Sequence, residues 1–244
     1  ICSGNSTSVA ISNPNGVPGT TFTWVVLSSS NVNGASAGSG NTINQILITT
    51  DGINAGTVTY RITPTANGCA GATEDVTVTV NPAAQITNTA TQLQNDICSG
   101  AALNFTPTSS IAGTTFSWTS TSSVEITSGV TAAGTGAITD APVNSSNVTA
   151  TVTYTITPSF GGCNGNPVNY VVTVRPLPDA SASDATICSG TSPNIAITNP
   201  NSVSGTTYTW IVFASTNVSG ASAGSGSLIN QILTSTDGTT SGSV

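Results

Sequence analysis

Five cysteines are the side chains best equipped for chemistry in this 244-residue sequence, and their placement points to cross-linking rather than catalysis. Cys2, Cys98 and Cys188 each stand in an Ile-Cys-Ser-Gly tetrapeptide, whereas Cys69 and Cys163 each stand in Gly-Cys-x-Gly. Cys69 follows Cys2 by 67 residues and Cys163 follows Cys98 by 65. Two matched spacings predict one disulfide inside each copy, Cys2 with Cys69 and Cys98 with Cys163; Cys188 is then expected to pair with a cysteine beyond Val244. Closing a loop of that size contributes roughly 4 kcal/mol through the unfolded state. The competing reading is buried free thiols. Zinc is disfavoured, because there is no histidine and no Cys-x-x-Cys spacing, so no metal ligand is assigned. Disulfides place the chain in an oxidising compartment, outside the cell or in a periplasm.

The rest of the inventory argues against an enzyme. Without His or Lys, neither a Ser-His nor a Ser-Lys nucleophile can be assembled within the sequence. Glu74 and Asp75 are the only adjacent acids, and neighbouring strand residues face opposite ways. No catalytic residue and no cofactor is assigned. Asp51-Gly52 and Asp237-Gly238 lack an Asp-x-Asp array for calcium and read as turns. Trp24, Trp118 and Trp210 could serve as sugar-stacking platforms. Each follows another aromatic by two residues inside a strand pattern, however, which favours a core anchor. Tyr60 and Tyr154 join them as expected core anchors. Phe160 and Phe213 have no equivalent in every copy and are candidates for surface contact.

These residues are positioned by an internal repeat. Ile-Cys-Ser-Gly begins at 1, 97 and 187, so the copies start 96 and 90 residues apart. Gly-Thr-Thr-aromatic-x-Trp follows at Gly19–Trp24, Gly113–Trp118 and Gly205–Trp210, and then a Gly-x-Gly turn at Gly38/Gly40, Gly134/Gly136 and Gly224/Gly226. Copies one and two continue with Val-Thr-Tyr-x-Ile-Thr-Pro and close on Val-Thr-Val-x-Pro. Copies one and three are nearly identical over Asn31–Leu47 and Asn217–Leu233. A period near 90 exceeds the about 20–50 residues of solenoid repeats and suits one small domain per copy. The expected layout is module 1 at 1–82, a linker at 83–96, module 2 at 97–176, a linker at 177–186, and an incomplete module 3 at 187–244. The Pro-containing linker after Arg175 should be stiff, giving an extended rod.

The modules read as all-β. Val58, Tyr60 and Ile62 alternate with Thr57, Thr59, Arg61 and Thr63, the period of a strand with one buried face. Val76/Val78/Val80, Phe22/Trp24/Val26, Val152/Tyr154/Ile156 and Tyr170/Val172/Val174 do the same. Asn- and Gly-rich turns separate them, and no apolar stripe of helical period is sustained. Several short strands per copy predict tandem Ig-like β-sandwiches.

Composition narrows the partners. The net charge is −7, with two Arg and no Lys, so the clustered cations that nucleic-acid binding requires are lacking. No apolar run is long enough to span a bilayer, so no membrane insertion is expected. The sequence starts inside the repeat pattern with no signal peptide in front, and so reads as a window or a processed product. Only Arg61 and Arg175 offer sites to trypsin-like proteases, and Pro176 follows the second. Asn-x-Ser/Thr sequons stand at Asn5, Asn104, Asn144, Asn147 and Asn217.

Taken in order, Ile-Cys-Ser-Gly, Gly-Thr-Thr-Phe-x-Trp, Thr-Tyr-x-Ile-Thr-Pro, Gly-Cys and Val-Thr-Val-x-Pro resemble the PKD-like tandem repeats of Bacteroidetes surface proteins, over essentially the whole chain. The resemblance implies PKD-like sandwich modules in a large exported protein, often type IX secretion cargo. It also implies a cell-surface, extracellular setting and a non-catalytic role as a filament, stalk or adhesin segment. The alternative is a glycan- or host-surface-binding module. The familiar PKD motif Trp-Asp-Phe-Gly-Asp-Gly is absent, since Val25-Val26 follow Trp24 and Ile211-Val212 follow Trp210, so residue roles tied to that motif do not transfer. Because 187–244 stop before a counterpart of the Thr-Tyr-x-Ile strand, the expectation is that the polypeptide continues or that a neighbour supplies the missing strands. The expected partners are thus copies of the chain or adjacent repeats in a head-to-tail filament, with surface glycans as a further possibility.

Overall fold

The computed structural model describes all residues from Ile1 to Val244, and they form strands, turns and loops without a helix. The fold is an all-β tandem of sandwich modules. In the first, the strand Gly56–Ala66 buries Val58, Tyr60 and Ile62 on one face. It pairs antiparallel with Thr21–Ser30 along one edge and with Glu74–Val80 along the other. Gly38–Ser39 extends the sheet beyond Thr21–Ser30. A second layer, which includes Val9–Ala10 paired with Thr42–Ile43, delivers Ile43 and Leu47 to the same core. The head of the chain returns to the end of the module. The Ile1 amine donates to the Thr79 carbonyl at 2.8 Å, and Cys2 runs parallel beside Asn81.

The second module repeats the plan with Ala150–Phe160 between Thr115–Ser122 and Val168–Arg175. Its core is richer in aromatic contacts. Phe105 stacks on Tyr170 with ring centroids 4.0 Å apart, and Trp118 meets Tyr154 edge-on at 5.5 Å. Each core draws on its own module alone. The stretch 83–96, expected as a linker, is largely absorbed into this module. Gln94–Cys98 is a strand parallel to Val171–Arg175, and Ile86 pairs with Ser109. The apolar side chains explain it, because Ile86, Leu93 and Ile97 pack on the second core. Ser181, in the expected second linker, likewise pairs with Thr198 of the third copy.

The third copy holds only two-residue strands, such as Thr209–Trp210 with Gly224–Ser225 and Ile195–Ala196 with Leu228–Ile229. No residue beyond Val174 is buried. The reason lies in the central strand, of which this copy holds only the first residues, with Ser243 pairing to Thr216. Residues equivalent to Val25–Leu27 therefore lack their sheet partner, and Ile211 and Phe213 are 78% and 97% exposed.

The Gly-x-Gly element does more than turn the chain. Its first glycine lies across the strand from the tryptophan, Gly38 from Trp24 and Gly134 from Trp118, and the indole covers the position a side chain would fill. A Cβ on Gly38 would lie 2.6 Å from the Trp24 ring, on Gly134 2.4 Å from Trp118, and on Gly224 2.5 Å from Trp210. Its second glycine takes positive φ in each copy, 131°, 69° and 119° at Gly40, Gly136 and Gly226. We expect Gly134→Ala to displace the Trp118 ring and to destabilise the second module by about 1–3 kcal/mol. Guanidinium unfolding followed by tryptophan fluorescence measures it, and an unchanged midpoint would refute the packing account.

Both arginines are held in bidentate pairs. Arg61 donates to Asp75 from Nε at 2.8 Å and from its terminal nitrogen at 2.7 Å, across facing strands. Arg175 donates to Asp96 at 2.7 and 2.5 Å. Hydrogen bonding to the guanidinium holds both carboxyls below the usual range. A lowered folded-state value contributes stability above the unfolded value near about 3.9, lost as pH falls through the folded value. The urea midpoint should therefore stay level from neutral pH to about 4.5 and decline below about 4. Asp75→Asn combined with Asp96→Asn should shrink that decline; an unaltered acid limb in the double variant would show that the pairs do not contribute.

Candidate functional site

The chemically distinctive site is the joint between the first two modules. Two local motifs build it. The first is the head tetrapeptide. Ser3 N–H donates to the Asn81 carbonyl at 2.8 Å, Gly4 N–H donates to the Leu47 carbonyl at 2.8 Å, and the Ser3 hydroxyl accepts from Thr49 N–H at 3.0 Å. The same serine role recurs where Ser99 accepts from Asn144 N–H and Ser189 from Ser235 N–H. Ser-Gly therefore ties the head to the second layer in all three copies. Cysteine is thereby left at the pole where the chain exits the module.

The second motif is a two-residue hairpin. Phe160 pairs with Cys163 around Gly161 and Gly162, whose φ angles are 57° and 81°. Ala66 pairs with Cys69 around Asn67 and Gly68, at 52° and 78°. Positive φ at both central residues is the turn that matches strand twist, and Asn-Gly is its strongest sequence signal. The hairpin cysteine thus sits at the tip of the central strand, at the pole opposite the head cysteine.

This opposition decides the disulfide. Cys2 is bonded to Cys163, 161 residues away and in the next module, and Cys69, Cys98 and Cys188 are free and exposed. The pairing expected from spacing, Cys2 with Cys69 and Cys98 with Cys163, is not the one formed. Both cysteines of a module lie at its ends, whereas the exit pole of module 1 faces the hairpin pole of module 2. Further contacts seat the joint. The Asn81 amide donates to the Gly161 carbonyl at 3.1 Å, and a Cβ on Gly165 would lie 1.6 Å from the Ala84 carbonyl oxygen. The final glycine of Gly-Cys-x-Gly is needed for that close approach, a role not recognisable in the sequence because it depends on the neighbouring module.

The other candidate residues are placed as follows. Trp24 and Trp118 are buried, and Trp210 is half-buried. Tyr60 and Tyr154 are fully buried with their hydroxyls bonded, Tyr60 to Gln45 at 2.8 Å and Tyr154 to Asp140 at 2.7 Å. Burial, reinforced by the Asp140 carboxylate, holds the Tyr154 phenol far above its ordinary value. Gln45 also bonds Ser36, whose carbonyl accepts from the Trp24 indole, so tyrosine, glutamine and tryptophan share one polar cluster. Asp51 spends its oxygens on Asn31, Asn54 and the N–H of Ile53. The Asn54 hydrogen bonds hold its carboxyl well below the usual range. Glu74 and Asp75 are both exposed, and Asp75 is engaged by Arg61.

Cleavage after glutamate tests the pairing directly, because Glu74 and Glu125 are the only two glutamates. Without reduction, fragment 1–74 should remain joined to 126–244 while 75–125 runs free. Pairing within modules would instead join 75–125 to 126–244.

No curated protein matches the chain. Among solved structures, mouse cadherin-23 EC22-24 aligns at 13% identity and a TM-score of 0.33, covering 97% of this chain and 83% of that one. The chicken CNTN1 FN1-FN3 domains align at 12% and 0.29, covering 98% and 83%. The PKD-like domain family matches at 1–84, 95–178 and 185–243, one match per copy. With most of its length covered in three successive matches, the chain belongs to the PKD-like domain family.

Proposed function

We propose that this chain is a non-catalytic structural segment of an extracellular surface filament, stalk or adhesin, in which the modules act as rigid, end-to-end spacers. The observation that carries this reading is the Cys2–Cys163 bond between modules. A disulfide inside a module would strengthen that module alone. A disulfide across a joint removes the freedom of one module to swing against the next, which benefits a protein that must hold a distance or transmit tension. A bond of this kind also belongs to an oxidising setting, which supports a location outside the cell. The surface agrees with it. Ser, Thr and Asn provide solvation with 5% charged residues, and both arginines are tied into ion pairs, leaving few protease handles. The Bacteroidetes surface repeats that the sequence resembles are the natural setting for such a segment.

The test compares the chain with its Cys163→Ser variant by small-angle scattering. The wild type should give a narrow distance distribution between the first two modules, broadened by the variant or by reductant. A distribution indifferent to the bond would overturn the spacer reading. A glycan array should be blank, and saturable binding to one oligosaccharide class would favour a binding module instead.

A further inference from the structure

We propose that the Cys2–Cys163 bond is one instance of a recurring ladder, in which the head cysteine of each module bonds the hairpin cysteine of the module that follows, and that Cys98 is the next rung. The partner is the cysteine of a Gly-Cys-x-Gly hairpin crowning the third module's central strand.

Equivalence of position supports it first. Cys98 is the register partner of Arg175 at the end of the second module's closing strand, as Cys2 is of Asn81 in the first. Ser99 N–H donates to the Arg175 carbonyl at 2.8 Å, as Ser3 N–H does to Asn81. The exit pole of module 2 is therefore built like the exit pole of module 1, with its cysteine exposed and unbonded.

The second support is the space beside it. At the first joint, Asn81 and Ala84 are covered by the hairpin at Gly161 and Gly165. At the second, the equivalent exit residues Arg175, Pro176 and Pro178 line an open cleft of about 550 Å³ whose far wall is Val203–Thr206. The same wall in module 2 includes Gly113, which sits against Phe160 at the base of the hairpin. The cleft thus lies where a third-module hairpin would seat, and residues 187–244 contain no Gly-Cys-x-Gly to fill it. Cys69 is the mirror case, a hairpin cysteine placed like Cys163 and open to the head cysteine of another module.

The step is a thiol oxidation. Cys98 and the hairpin cysteine lose two protons and two electrons as their S–S bond forms, and a disulfide oxidant such as glutathione disulfide takes them up as two thiols.

The test uses the whole chain and a peptide of its own residues 59–80, which supplies the counterpart of the missing central strand, hairpin and closing strand. The two are mixed in a glutathione redox buffer and trapped with acid. The product is cleaved after glutamate, and the fragments are weighed without reduction. The expected result is the peptide's Cys69 fragment attached to 75–125, which holds Cys98, with at least tenfold preference over the other fragments. A Gly71→Val peptide, which cannot make the close approach seen at Gly165, should lose that preference. Attachment to all free cysteines alike, preference for the joined 1–74/126–244 species, no attachment, or an undiminished preference with the Gly71→Val peptide would each overturn the proposal. The readout is bond topology, so it stands or fails apart from the spacer function.

Discussion

Each module is organised by one long strand hydrogen-bonded along both edges. In module 1, Gly56–Ala66 joins Thr21–Ser30 to Glu74–Val80 and contributes Val58, Tyr60 and Ile62 to the core. In module 2, Ala150–Phe160 does the same. Everything else leans on it, including the tryptophan opposite its isoleucine, the tyrosine hydroxyl that orders the second layer, and the hairpin that carries the cysteine to the pole. The third copy supplies the contrast. It has nearly the same Asn31–Leu47 segment and the same Trp and Gly-x-Gly, yet it buries no residue. Local sequence preference brings its short strand pairs together, but without a strand between the edges there is no continuous apolar face to close upon.

The joint follows from where that strand ends. A strand crossing the whole sandwich puts its hairpin at one pole, and the head tetrapeptide, running parallel to the closing strand, puts its cysteine at the other. Two modules in sequence then bring unlike poles together. The bond closes a loop of 161 residues, which on chain-entropy grounds restricts the unfolded state by about 5 kcal/mol. Because that loop spans both modules, the gain is shared, and unfolding of either module is coupled to the tether on the other.

The exterior uses few charges. Cross-strand pairs such as Thr59 with Thr77, whose hydroxyls share a hydrogen bond at 2.9 Å, and Thr155 donating to Asn169 at 3.0 Å replace the usual ionic pairs. Such pairs each contribute only a few tenths of a kcal/mol, but they recur, as at Thr87 with Thr108 and Thr127 with Ser145, and do not weaken with salt as ion pairs do. The bulge between Val26 and Ser28 marks where the alternation of this strand ends: Phe22 and Trp24 are buried between exposed neighbours before it, whereas Ser28, Ser29 and Ser30 beyond it are all exposed.

What the sequence determined by itself was everything that depends on neighbours along the chain. Alternation at Val58/Tyr60/Ile62 and Val152/Tyr154/Ile156 announced strands and their buried faces, and the repeated motifs marked three copies and their phase. Tertiary structure alone decided the contacts between distant segments. Spacings of 67 and 65 residues suit bonding within a module as well as they suit any other pairing, because spacing records contour length and not which pole a residue occupies. Gly165 and Gly134 look like ordinary turn glycines until Ala84 and the Trp118 ring are seen where their side chains would be. Ile86 and Leu93 fall in a stretch that reads as a linker because two isolated apolar residues seven apart do not announce a strand. Only the second core, by offering them an apolar surface, draws that stretch into the fold.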